Sequence, residues 1–284
     1  MKPEVVGEGI VRLKARKKGP TIGVVCNVHG NELCGRKAVH RILSKYQIER
    51  GTLVLIDGNP NAALLGKRYV SSDMNRMFTA RQLKKKNPEQ DLKRAQYLAK
   101  TLPKLGLDQV IDFHSTSSET PYPFTVSFPG TEEMTSLCPV PQIFGWPGIV
   151  KGTLIEWLCN QGIPAVVVEA GQHDAASSIK VAERTLLSIL SHFSLITPEK
   201  PVKFKKPPQY MVLERVMIGD HGSFKFNKQY SSFEALKPGE KIAKDKTREY
   251  VAPKEKGLMM LMPSTQDAVN KRISRGAYYL MQSV

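Results

Sequence analysis

Three short segments of this 284-residue chain carry side chains that can activate water. His29-Gly30-Asn31-Glu32 sets an imidazole and a carboxylate three residues apart, and at a strand-to-helix junction both can turn toward one point. His114, in Asp112-Phe113-His114-Ser115-Thr116, supplies a second imidazole. Two His and one Glu with a fourth position open make a catalytic zinc set, because the metal needs a free site for water. Zinc acidifies that water and polarises a bound carbonyl, which makes hydrolysis feasible at neutral pH. Glu169 follows the apolar run Ala165-Val166-Val167-Val168, where a carboxylate is costly without a task or a partner. The task that fits is general base toward the water and general acid toward a leaving nitrogen. A fourth stretch, Arg68 to Arg76, holds two arginines and Asn75. Such donors suit a substrate carboxylate and a developing oxyanion.

Each segment alone has a plainer reading. His29 suits a helix cap or a core, Glu169 a salt bridge to a buried arginine, and Arg68 to Arg76 an exposed loop. Their order along the chain favours chemistry, since each follows a predicted strand, where α/β enzymes place their sites. Ile22 to Val28 reads as a buried strand, followed by a helix from about Glu32 to Tyr46 with Leu33, Val39, Ile42 and Leu43 on its apolar face. Leu53 to Ile56 is a second strand, Gln90 to Leu102 a helix, and Gln109 to Phe113 a strand leading into His114. Thr153 to Asn160 is helical, Ala165 to Val168 is the last central strand, and Ser177 to Ile196 is a long amphipathic helix. Alternating strands and helices predict an α/β layer fold on a mixed or mostly parallel sheet. Past Thr197-Pro198-Glu199-Lys200-Pro201 the pattern changes to short strands and turns. We therefore expect a hydrolase domain over residues 1–200 and a small, mostly β domain over 201–284 that covers or flanks the site.

Composition bounds the function. A 41% hydrophobic and 24% charged chain is globular, neither disordered nor fibrous. No run approaches the roughly 18 apolar residues of a membrane helix. No continuous apolar leader is visible near the start, so no secretory signal is expected. Four cysteines without a CxxC pairing point to structural thiols in a reducing, cytoplasmic setting. Cys26 and Cys34 flank the first ligand pair, and packing is the better reading of both. The net charge of +16 suits nucleic acid or anionic small molecules. The basic residues are spread along the whole chain, which favours a solvated surface that helps capture acidic substrates.

Taken in order, His29-Gly30-Asn31-Glu32, Asn59-Pro60-Asn61-Ala62, Arg68-Tyr69, Asp73-Met74-Asn75-Arg76, Asp112-Phe113-His114-Ser115-Thr116 and Val168-Glu169-Ala170-Gly171 resemble the succinylglutamate desuccinylase/aspartoacylase family, itself related to the zinc carboxypeptidases. The motifs cover roughly residues 20 to 175. The resemblance implies a carboxypeptidase-like mixed sheet with flanking helices, and a zinc hydrolase acting on a small, anionic N-acyl amino acid. It makes His29, Glu32 and His114 the ligands of one zinc ion per chain. It gives Arg68 the scissile carbonyl, Asn75 and Arg76 a substrate carboxylate, and Glu169 the proton shuttle. Ala277-Tyr278-Tyr279 resembles a segment of aspartoacylase that returns to the pocket, which makes Tyr278 a substrate contact; packing within the β domain is the alternative. Between His114 and Glu169 the chain holds no arginine, so the acyl group stays open.

Two further functions compete with the deacylase. A zinc carboxypeptidase trimming short peptides needs the same metal and carboxylate clamp, but a domain closing over the pocket favours small substrates. A basic anion- or nucleic-acid-binding protein with a degenerate site would ignore chelators and lose affinity steeply with salt. The exposed β domain could supply an interface for a homo-oligomer. Phe144-Gly145-Trp146-Pro147-Gly148 reads equally as a substrate rim or a surface turn. Asp112 would point to the same side as His114 and could orient it. His173 is placed no closer than behind the ligands.

Overall fold

The computed structural model describes residues 2–117, 122–146, 149–265, 269–270 and 276–284. The strands in chain order are β1 Glu4–Gly7, β2 Ile10–Lys14, β3 Lys17–Cys26, β4 Arg50–Asp57, β5 Gln109–Thr116, β6 Phe124–Val126, β7 Gln142–Phe144 and β8 Ala165–Gln172. They are followed by β9 Gln209–Met217, β10 Lys225–Phe226, β11 Lys241–Lys244, β12 Glu249–Val251, β13 Leu258–Leu261 and β14 Gly276–Ser283. The helices are α1 Cys34–Leu43, α2 Pro60–Leu64, α3 Ala80–Leu83, α4 Gln90–Thr101, α5 Glu132–Ser136, α6 Leu154–Asn160 and α7 Ala176–His192.

Among the described residues one sheet runs β1-β2-β4-β3-β5-β8-β6-β7-β9-β14-β13. Its heart, β4-β3-β5-β8, is parallel, and antiparallel pairs flank it at β2 and β6. It is therefore mixed, as the sequence predicts. Successive residues of the central strands feed opposite cores, as period-2 geometry requires. Val25 and Val110 face the α4 and α6 side with Leu98 and Leu158. Val24, Ile111, Phe113 and Val166 face the α1 and α7 side with Ile42 and Ile189. Gly35 lets α1 lie directly on β5, since a Cβ there would fall 2.5 Å from the Phe113 Cβ.

Three details differ from the sequence expectation. His114 and Glu169 lie inside their strands rather than just past them, because the β5–β8 ladder continues through the pairs His114–Glu169 and Thr116–Gln172. Helix α1 is shorter than Glu32 to Tyr46. Its buried face is Cys34, Gly35, Ala38 and Ile42, while Leu33 is exposed. Small residues serve there because the helix packs so close to the sheet.

The elements described beyond residue 200 are strands, apart from the helical residues 269–270. Strands β9, β14 and β13 extend the main sheet through the parallel β7–β9 pair. A separate three-stranded sheet, β10-β11-β12, closes over its own apolar cluster around Phe224, Ile242, Tyr250 and Tyr278. No described helix is long and apolar enough to cross a membrane.

Candidate active site

His29 and Glu32 sit in the turn between β3 and α1. Gly30 keeps that turn against α2, where a Cβ would meet the Ala62 carbonyl carbon at 2.1 Å. His114 enters from β5, and its imidazole meets that of His29 edge-on with centroids 5.0 Å apart. Glu32 lies between them: its Oε1 is 2.9 Å from His29 Nδ1 and its Oε2 is 2.9 Å from His114 Nδ1. One donor atom from each of the three residues falls within 4.8 Å of the others, and all three residues are buried.

The outer nitrogens are held as well. His29 Nε2 is 3.0 Å from Asp73 Oδ1, and His114 Nε2 is 2.9 Å from Asp112 Oδ2. Ionised carboxylates only accept, so each Nε2 carries the proton and each Nδ1 turns inward. Glu32 also only accepts when ionised, so its short contacts to two Nδ1 atoms need a proton or a cation between them. A divalent cation fits that centre, and His2Glu suits zinc. Burial alone would lower the His114 pKa, but Asp112 and Glu32 hold it well above its ordinary value. Burial would raise Glu32, and the charges of His29 and His114 overturn that and hold it well below the carboxylate range.

Glu169 stands beside His114 on the neighbouring strand. Its Oε2 is buried without a hydrogen-bond partner among the described residues. Burial pushes its pKa up to about 7, with Glu32 adding to the rise and His114, His29 and Arg68 opposing it. Arg68 donates to Glu32 Oε1 at 3.2 Å and to Asp73 Oδ2 at 3.4 Å. It therefore borders the same centre. Burial first, then the charge of Glu32, pushes the Cys34 thiol up to about 12. Its Sγ–H donates to the His114 carbonyl, so Cys34 packs as a thiol, and Cys26 is buried in the strand.

Asn75 and Arg76 occupy a 3-10 turn over Met74–Arg76 that starts from Asp73, whose side chain accepts from the Asn75 N–H. Asn75 Oδ1 accepts from the Leu154 N–H at the start of α6, which fixes the orientation of its amide. Arg76 is exposed. Ser115 donates its N–H to Glu32 Oε2 and pairs its hydroxyl with His173 Nδ1 at 2.8 Å, so Ser115 stands between His173 and Glu32.

Tyr278 is not brought to this centre. It packs into the β10-β11-β12 cluster, with Phe226 as a ring neighbour. Tyr279, on the opposite face of β14, stacks on Trp146 at 4.7 Å and 29°. Its hydroxyl lies within electrostatic reach of Arg215, Arg76 and Glu169. Pro147 and Gly148 of the aromatic loop lie outside the described residues.

Two carboxylates, Asp73 at the site and Asp91 behind its loop, carry no role in the expectations from sequence. Asp73 was visible only as part of a motif, although an acid five residues beyond Arg68 is a pairing signal. Asp91, at the start of α4, accepts from Asn59 Nδ2, from the Ser71 hydroxyl and from the backbone N–H groups of Val70, Ser71 and Ser72. It thereby fixes the loop between Arg68 and Asp73.

The family model described as the succinylglutamate desuccinylase/aspartoacylase catalytic domain matches residues 18–193. A protein described as a probable aspartoacylase from Nostoc sp. is 34% identical over 108 residues, 34% of this chain and 35% of that protein. A succinylglutamate desuccinylase from Pseudomonas aeruginosa is 33% identical over 78 residues, 25% of this chain and 23% of that protein. The chain thus matches about a third or less of the length of these curated relatives. The crystal structure of a succinylglutamate desuccinylase from Chromobacterium violaceum superposes with a TM-score of 0.76 at 18% identity, covering 99% of this chain and 90% of that one. One from Vibrio parahaemolyticus gives 0.75 at 15%, covering 97% and 86%. With the family model spanning more than half of its residues, the chain belongs to the succinylglutamate desuccinylase/aspartoacylase family.

Proposed function

We propose that this protein hydrolyses the amide bond of a small N-acyl amino acid at a single zinc ion held by His29, Glu32 and His114. The observation that carries the reading is the convergence of those three buried donors, with Glu169 and Arg68 beside them. When bound, zinc supplies an acidified water and a Lewis acid for the acyl carbonyl.

The residues do the rest. Asp73 and Asp112 hold both imidazoles in the tautomer that presents Nδ1. Glu169, raised by burial to about 7, can both take and return a proton near neutral pH, so it serves as base and then as acid toward the leaving nitrogen. Arg68, oriented by Glu32 and Asp73, places its guanidinium where negative charge builds on the carbonyl oxygen. Asn75 and Arg76 receive a substrate carboxylate, Arg76 as the charged partner and Asn75 as a neutral donor of fixed orientation.

Elemental analysis is expected to find about one zinc per chain, the stoichiometry of a single His2Glu site. The zinc-loaded protein is expected to release free amino acid from members of an N-acyl amino acid panel, and chelation to abolish that release. Full activity in metal-free protein would overturn the reading. Faster turnover of short peptides than of N-acyl amino acids would move the assignment to a carboxypeptidase.

A further inference from the structure

No arginine lies between His114 and Glu169, but Arg215 lies on β9, in the far half of the same sheet. Arg215 on β9 is the direct partner of Tyr279 on β14, and directly opposed residues of antiparallel strands share a face. That face carries Tyr279 and Trp146 into the same core as Phe124, whose backbone pairs with Glu169. The Arg215 Cζ lies 5.7 Å from the Tyr279 ring centroid. Gly276 makes room for it: a Cβ there would fall 2.6 Å from Arg215 Nε and 3.2 Å from both Cζ and Nη2. Among the described residues the buried Nε has no hydrogen-bond partner. A buried N–H left empty is costly, and a guanidinium held by an aromatic ring keeps its planar fork for a carboxylate.

We propose that Arg215 is a specificity-determining residue that receives a second carboxylate of the substrate, apart from the one held by Asn75 and Arg76. The proposal rests on the deacylase reading of the site. The second carboxylate comes from the far end of a dicarboxylic acyl group or from the side chain of an acidic amino acid. Burial raises the pKa of the Tyr279 phenol, and the charges of Arg215 and Arg76 both oppose that rise.

The test compares wild-type, Arg215→Met, Arg215→Lys and Gly276→Ala proteins, each zinc-loaded. Turnover is measured on a matched set of N-acyl amino acids carrying the extra carboxylate on the acyl group, on the side chain, on both or on neither. Arg215→Met is expected to lower kcat/KM roughly 10- to 100-fold, mainly through KM, on the substrates carrying the carboxylate that Arg215 reads. The substrate with neither should be unchanged, and the arm that falls names the source. Arg215→Lys should recover little of the loss, because lysine lacks the fork. Gly276→Ala, which displaces the guanidinium without removing it, should lose the same preference.

Calorimetric titration of succinate against butyrate gives a readout that needs no turnover. Wild type is expected to prefer the dicarboxylate, and Arg215→Met to lose that preference. If no N-acyl amino acid is turned over while the Arg215-dependent preference persists, the deacylase reading fails and the anion site stands. An equal fall on all four substrates, or a dicarboxylate preference that survives Arg215→Met and Gly276→Ala, overturns the proposal.

Discussion

At the scale of single residues the site is a balance of four carboxylates against two imidazoles and one guanidinium. Glu169 is the member whose removal should be cleanest, since its Oε2 holds no structural hydrogen bond among the described residues. Glu169→Gln is expected to lower kcat roughly 10²- to 10⁴-fold, the usual worth of a general acid–base group, with zinc content unchanged. Asp112→Asn should instead weaken zinc binding about 10- to 100-fold, because it removes the acceptor that fixes the His114 tautomer; competition with a chromogenic chelator measures that loss. His29, Glu32, His114 and Glu169, which the structure brings together, were legible in the sequence because polar groups stand out where an apolar strand run stops. Tyr278 against Tyr279 was not legible. Both faces of β14 are buried from Gly276 to Met281, so no polar alternation marks its parity. The β9–β14 register also shifts on either side of the pair, and a one-residue slip exchanges the faces.

The elements that carry these residues are tied by a few buried contacts, and their failure should appear as lost stability. Asp91 gathers the Val70–Ser72 backbone and Asn59 on one carboxylate. Burial would raise its pKa, but the bonds from Ser71, Asn59 and Ser72 lower it. A carboxylate depressed in the folded state stabilises above its unfolded pKa of about 3.9, and that contribution disappears as pH falls through the folded value. Asp91→Asn should therefore cost about 1–3 kcal/mol near neutral pH, the penalty for buried donors left unsatisfied. Its stability should approach that of wild type only once the pH falls below the depressed folded pKa of Asp91, where the wild-type carboxylate is protonated too; urea melts across pH would show this convergence. Gly30→Ala should cost about 1–3 kcal/mol by overpacking, because its methyl group would displace the backbone of α2. The sequence announced α4 and the central strands by their periodicity. It hid the true ends of β5 and β8, since an apolar run stops at the first polar residue whereas a ladder stops only when its backbone partners part.

At the scale of the molecule the sheet does not stop where the sequence pattern changes. Strand β7 pairs with β9, so the β strands beyond residue 200 share hydrogen bonds and core with the strands before them. A fragment ending at residue 200 is expected to lose cooperative folding, and the whole chain to melt in one calorimetric transition. Two separable transitions would instead support the domain boundary drawn from the sequence. The +16 net charge should speed the capture of anionic substrate, so kcat/KM is expected to fall with added salt while kcat holds. The room that Gly276 leaves for Arg215 carries a consequence for how the two positions evolve. A methyl group at 276 is barred only while a guanidinium fills that space, so the two sites should change together across related proteins. Lineages that replace the arginine with a small residue are free to lose the glycine, and those lineages should also have changed the acids they accept.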